Sequence, residues 1–403
     1  MRLRLTRRAP HGAPRAPRTG PTSARPGRAV ASSLQALRVM LGMLALFIVG
    51  APRPLVAEDR MTVRGNYYRE DSTRVLAPVV YVEKDVPDER FTVGAEYLLD
   101  AVTSASIGAG AAAVTGGDFL FTEFRHQTTL NVRSKLRDWS LGGYFRYSTE
   151  SDWISRSFGL GVARELFNRA GTLSINYSAN FDSVNRIFAG RVLPYKSTGT
   201  TNLQQVNFLG VGYTHALHRR LLAGLMFEGI VATGPQDNPY RQVRDGLAES
   251  HPLLRRRGAL SGFLRWAVPR TPLVLEPRYR LYGDDWGIVA HAVDLRAHVR
   301  FLKRVVLRAR YRFYSQSGAY FWAEDGYYPA TAIYRTADPK MTRFHSHTPG
   351  AELTIELDGL ARLRGLKWLR GAWVQATYNH VFVSKNYRFG DARLGSLALS
   401  VPF

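Results

Sequence analysis

Leu394–Phe403, LGSLALSVPF, is the stretch whose reading decides the fold. Leu397, Leu399, Val401 and Phe403 share one face at the period of two of a β-strand. Ser396, Ala398, Ser400 and Pro402 share the other. As the edge of a soluble sheet this ribbon would set open hydrogen-bonding groups beside a bare apolar face, a template for aggregation. Closing the sheet into a barrel removes the edge, and lipid accepts the apolar face. The competing reading is the last strand of a soluble sandwich.

The same alternation runs back through the chain to about Thr62, broken by turn residues. Sixteen segments are readable, near 62–69, 77–84, 91–100, 119–133, 138–149, 155–166, 171–182, 203–215, 219–231, 257–268, 272–283, 287–301, 304–315, 350–359, 369–383 and 393–403; fourteen is the smaller count considered. In the twelfth, Val293, Leu295, Ala297, Val299 and Phe301 oppose Asp294, Arg296, His298 and Arg300. In the thirteenth, Val305, Leu307, Ala309, Tyr311 and Phe313 oppose Arg308, Arg310 and Arg312. Charges this dense at every second position cannot face a dry core unpaired, so they face water. If the apolar faces meet lipid, the charges line a lumen.

Segment length and loop rhythm favour lipid. Many segments run ten to fifteen residues, beyond the five or six usual in soluble strands. Long connections at 101–118, 183–202, 232–256 and 316–349 alternate with short turns such as RSKLR, FNRAG, LHRR, PRT and LK. Long loops on one rim and short periplasmic turns on the other is the barrel pattern, and an even strand number puts both termini at the short-turn rim. Tyr97, Phe124, Phe145, Tyr177, Phe181, Tyr213, Phe227, Tyr311 and Tyr378 fall on the outward faces, several near segment ends where an interfacial girdle belongs. The expectation is an all-β, antiparallel up-and-down transmembrane barrel.

The totals narrow the partners. The 403 residues carry 55 Lys plus Arg against 32 Asp plus Glu, a formal net charge of +23, and no Cys. Without Cys there is no disulfide framework, thiolate metal site, Cys nucleophile or lipid-anchored cysteine. Ten Arg and no acid precede Glu58; without that segment the charge is about +13. Residues 1–57 combine an Arg/Pro-rich extension with the apolar run Val39–Ala51, too short for a spanning helix and right for a secretory signal. Cleavage after Ala57 leaves 58–403 as the barrel. The remaining basic residues alternate with Tyr, Val and Leu rather than clustering as a phosphate-backbone site does, so nucleic acid is not an expected partner.

More specific stretches recur through the chain: LLDAVTSASIGAG from Leu98, YSTESDW from Tyr147, YSANFDSVN from Tyr177, NPYR from Asn238, YRLYGDDWGIVAH from Tyr279 and RYRFYSQSGAYF from Arg310. In order and spacing they resemble an uncharacterised family of bacterial outer-membrane β-barrels, the domain of unknown function 3570, from about residue 60 onward. The terminal strand likewise resembles those of Gram-negative outer-membrane barrels, which marks Leu397, Leu399, Val401 and Phe403 as an insertion signal for the barrel-insertion machinery. The resemblance implies outer-membrane localisation and a link to periplasmic redox or metal-handling partners. It implies no established activity and no cofactor.

The candidate site residues form two groups. Arg278, Arg280, Arg296, Arg300, Arg308, Arg310 and Arg312 lie on three consecutive segments, with Glu276, Asp294, Glu352 and Glu356 placed to partner some of them. Such a wall braces the barrel, or focuses a positive field that draws anions through it. Asp100, Glu150, Asp152, Asp284, Asp285 and Trp286 fall at the long-loop rim. Carboxylates there suit a hydrated turn first, then a divalent cation, then water activation. His345-Ser346-His347 puts His and Ser on opposite faces, which argues against a catalytic pair and leaves metal ligation as the lesser alternative to a structural role; His291 and His298 fall on opposite faces of one strand, so that pair shares no metal site. Gly108–Gly117 lacks the Lys and helix of a nucleotide loop. Loop 316–349, with Tyr320, Phe321, Trp322, Tyr327 and Tyr328, is the candidate constriction or lid. The expected function is passage or export of a small solute, an anion by the Arg wall. The alternatives are a non-conducting structural or partner-docking component, and a rim-carboxylate hydrolase. Neither a catalytic residue nor a metal ligand is assigned.

Overall fold

The computed structural model describes residues 59–70, 73–86, 91–104, 121–188, 191–196, 199, 201–384 and 390–403. The secretory-signal reading of 1–57 and the Gly108–Gly117 loop lie outside them. The strands are β1 (Arg60–Arg69), β2 (Thr73–Val86), β3 (Phe91–Ser104), β4 (Phe121–Leu136), β5 (Trp139–Thr149), β6 (Trp153–Leu166), β7 (Gly171–Phe188), β8 (Arg191–Pro194), β9 (Leu203–His218), β10 (Leu221–Thr233), β11 (Leu254–Ala267), β12 (Leu273–Asp284), β13 (Val289–Phe301), β14 (Val305–Gln316), β15 (Phe344–Glu356), β16 (Trp373–Val383) and β17 (Ala392–Pro402). Each long strand pairs antiparallel with its two neighbours, and β1 pairs with both β2 and β17. The sheet is therefore a closed sixteen-strand barrel. The seventeenth strand, β8, folds back along the far end of β7, which itself continues round the ring to β9.

Closure settles what alternation left open. The LGSLALSVPF strand is not an edge: Leu397 lies opposite Gly65 of β1 and Ala376 of β16. Leu397 is 59% exposed while Ala398 and Ser400 on the other face are buried. The exposed apolar side chains fall on the same outward face in neighbouring strands, including Leu130, Phe145, Leu160, Ile175, Leu225, Leu260, Leu295 and Leu353. A continuous apolar belt around a closed barrel is the surface that lipid requires. Eight of the nine expected outward aromatics are exposed; Tyr213 is half-buried.

Loop lengths follow the expected rhythm with one exception. Turns at 137–138, 167–170, 219–220, 268–272 and 302–304 mark one rim, and the connections 234–253 and 317–343 mark the other. Leu302 and Lys303 take the tight β13–β14 turn with φ of 46° and 61°, a left-handed geometry that suits the twist of a hairpin. The exception is 357–372 at the short-turn rim, with 3-10 turns at Leu357–Arg362 and Lys367–Leu369. Ala361, Leu369 and Ala372 form a small core there that Leu357, Leu366 and Val401 join, so Val401 meets protein at the end of the terminal strand. The fourteenth segment correspondingly starts earlier than expected, at Phe344, and stops at Glu356.

Candidate functional site on the inner wall

The inward wall of β12, β13 and β14 is an ion-pair ladder. Register sets Arg278 opposite Asp294, Glu276 opposite Arg296, and Asp294 opposite Arg312. The side chains then lean along the strands to find better partners. The Glu276 side chain, fully buried, accepts from Arg265 and Arg278, with Arg296 3.6 Å away. Asp294 takes Arg296 at 2.9 Å and Arg310. Arg308 donates to Glu352 at 3.1 Å and to His298 Nδ1 at 3.2 Å. Arg280 pairs with Glu228 and reaches Ser261 at 3.1 Å. Two expected members stand apart: Arg300 is exposed at the short-turn rim, and Glu356 forms no ion pair among the described residues. Their positions at the far strand ends take them out of reach.

The reading from segments missed Arg265 and Glu228. Both lie on the inward parity of β11 and β10, so the alternation could have found them once the register was known. Arg312 differs from its neighbours. Among the described residues no carboxylate lies within ion-pair distance of it, and its guanidinium sits 5.6 Å from the Tyr314 ring centroid. With Arg255, Arg280, Tyr314, Gln316, Lys340 and Asp338 it lines a cavity of about 360 Å³, Asp338 being paired with Arg241 at 3.3 Å.

Lys340 belongs to the long β14–β15 loop, so that loop reaches the inner wall. Gln316 Nε2 holds it by donating to the carbonyls of Lys340 and Thr342, both at 2.8 Å. The loop is bound to the β10–β11 loop by the bridge between Ser250 and Arg335. The buried Glu249 carboxylate accepts from Thr336 Oγ1 at 2.8 Å and the Ala337 N–H at 2.7 Å. Trp286, Ile288, Ala319 and Phe321 make a core beneath them, with the buried His251 edge-on to Trp286 at 5.3 Å. Of the aromatics expected to form a lid, Phe321 is thus buried and the Tyr328 hydroxyl is bonded within the loop, while Tyr320 and Tyr327 remain exposed.

The rim carboxylates are mostly committed to structure. Asp284 accepts from Arg255, from the Tyr282 hydroxyl, and from the N–H groups of Trp286 and Ile288 at 3.1 and 2.9 Å. This is turn chemistry, and among the described residues no histidine or second carboxylate is hydrogen-bonded to Asp284. Asp285 accepts from the Arg256 N–H, and Asp100 pairs with Arg125. Glu150 and Asp152 do come together, with Glu123, their oxygens within 4.8 Å of one another. These are hard oxygen donors of the kind a divalent cation takes, though Ser151 already donates to Glu123 and Tyr240 to Asp152. Burial first, then the neighbouring Glu123, pushes the Glu150 carboxyl up to about 7. The histidines separate as expected: His345 and His347 face outward with Tyr311 and Phe313, Ser346 faces inward, and His291 meets Tyr279 outside while His298 meets Arg308 inside.

A family profile described as "Protein of unknown function (DUF3570)" matches residues 115–365. No functionally curated protein matches the chain. Among solved structures, the chain is similar to a bacterial polysaccharide outer membrane secretin at 7% identity and a TM-score of 0.49, covering 87% of this chain and all of that one. It is also similar to the outer membrane protein opdK of Pseudomonas aeruginosa, at 9% identity and 0.45, covering 86% and 98%. A BenF-like porin of Pseudomonas fluorescens gives 8% and 0.44, covering 86% and 99%.

Proposed function

The chain belongs to the DUF3570 family, and from that premise we propose that it is an outer-membrane channel for a small anionic solute. The apolar belt on a closed barrel supports the membrane placement, with the short turns at the periplasmic rim. The observation that carries the anion is Arg312. Most arginines of the ladder are neutralised in place and so serve bracing first. Arg312 has no ion-paired carboxylate among the described residues, and it shares its cavity with Arg255, Arg280 and Lys340, the one carboxylate of the lining, Asp338, being taken by Arg241. A cation with no ion-paired carboxylate among the described residues, set in a recess of the wall, is an attractive station for a passing anion.

The test is single-channel recording of the detergent-extracted protein in a planar bilayer, with the reversal potential read across a KCl gradient. Discrete steps with chloride preference are expected, the preference falling in Arg312→Gln. A silent but folded, heat-modifiable protein overturns the reading.

The second reading is a non-conducting structural or docking component, favoured by one feature: the two long loops are joined through the buried Glu249 into an ordered cover. Periplasmic protein partners belong to that reading, and co-purification on the short-turn rim would support it.

A further inference from the structure

The outward face carries charge at only a few places, and one of them is ordered by register. At the long-loop rim Arg69, the last residue of β1, lies directly opposite Arg74 of β2 and directly opposite Arg393 of β17. Arg393 in turn lies directly opposite His380 of β16. The parity of all four is that of the lipid face: Tyr67, Tyr378 and Leu397 share it and are exposed. Three guanidiniums and an imidazole thus stand side by side on four adjacent strands.

Like charges directly opposite across a ladder repel. On the inner wall Arg278, Arg280, Arg296, Arg308 and Arg310 are each answered by a carboxylate. In the outer row, among the described residues, no carboxylate lies within ion-pair distance of Arg69, Arg74 or Arg393. Glu70 turns to the inner side and bonds the Tyr68 hydroxyl. Asp391 stands nearby, accepting the Val383 N–H with His380 Nε2 3.9 Å away. A row of guanidiniums with no ion-paired carboxylate among the described residues is stabilised by an anion that spans them, and phosphate is an anion whose oxygens guanidinium forks match. Directly below the row lie Tyr67 and Tyr378 of the apolar belt, with Leu397 one step further down.

We infer that Arg69, Arg74 and Arg393 bind the phosphate of a phosphorylated lipid in the outer leaflet, whose acyl chains run down the belt beneath. The belt is the argument for a lipid over a free phosphate. The inference rests on the membrane placement and not on conduction, so a silent barrel leaves it standing.

The test is native mass spectrometry of the full chain in detergent, offered bisphosphorylated lipid A or its dephosphorylated counterpart. Wild type is expected to retain the phosphorylated lipid selectively. Each Arg→Gln change should weaken retention about fivefold, the worth of one basic residue at a membrane surface, and the triple R69Q/R74Q/R393Q variant about a hundredfold. Equal retention of both lipids by wild type overturns the inference, as does an unchanged triple variant. So does full displacement by millimolar inorganic phosphate with no dependence on the acyl chains. Heat-modifiable migration on gels checks folding, and where the triple variant does not fold, Arg393→Gln and the wild-type lipid comparison decide.

Discussion

The two sides of the lumen solve the same problem differently. The wall of β12–β15 is charged, and most of its arginines and acids satisfy one another across register. The wall of β5–β7 is mostly small and neutral, with Arg146, Glu165 and Asp182 as charged inward members. Its inward positions include Ser140, Tyr144, Ser148, Ser155, Ser157, Gly159, Gly161, Ser174, Asn176 and Asn180. Ser157 there is 1% exposed and donates to Asn180 at 2.6 Å, and Tyr144 lies over Gly159 so closely that a Cβ would strike its ring. Both faces must satisfy polar groups, but the charged wall must also balance charge. It therefore tolerates removal of a partner poorly, while the neutral wall is sensitive to volume.

Substitutions can break or sharpen that contrast. The largest effect is expected at Glu276, which holds three arginines with a side chain shut off from water. Glu276→Gln should cost about 3 kcal/mol, the low end for a broken buried pair because those arginines keep surface in the lumen. Urea titration with gel mobility as readout would show it, and a change below about 1 kcal/mol would mean that lumen water screens the ladder. On the neutral wall, Gly159→Ala forces Tyr144 aside and should cost about 1–2 kcal/mol by the same titration. Equal loss at Gly159 and Glu276 would erase the contrast. Ser157→Ala leaves Asn180 short of one donor and should cost about 1 kcal/mol.

The smallest effect lies at the rim above the neutral wall. Burial and Glu123 raise the Glu150 carboxyl from 4.5 to about 7. Between those values the folded state holds a proton that the unfolded state has lost, so this group's contribution to stability falls as pH rises from about 4.5 to about 7. Glu150→Gln should flatten that part of the stability–pH curve and raise the melting temperature at pH 8. An unchanged curve would mean that Arg125 neutralises the site.

Much of this was readable beforehand. Each of the sixteen segments corresponds to a strand, because a lipid face and a wet lumen impose a strict period of two on every span. The Arg ladder was readable as a set because Arg278, Arg296, Arg308 and Arg310 sit on consecutive strands at inward parity. Its pairings were not, because arginine reaches past its register partner: Glu276 lies opposite Arg296 and also takes Arg265 and Arg278. Asp284 read as a rim carboxylate of several uses, and its backbone and Arg255 bonds leave it a turn-former.

By itself the sequence determined the barrel, its approximate strand number, which rim carries the long loops and which side chains face lipid. All of these follow from a local period and from turn chemistry. Only the tertiary structure decided that the β10–β11 and β14–β15 loops knit into one cover, that Arg312 has no ion-paired carboxylate among the described residues, and that Arg69, Arg74 and Arg393 stand in one outward row. Those facts depend on which residues of distant segments become neighbours when the ring closes, and no local pattern encodes that register.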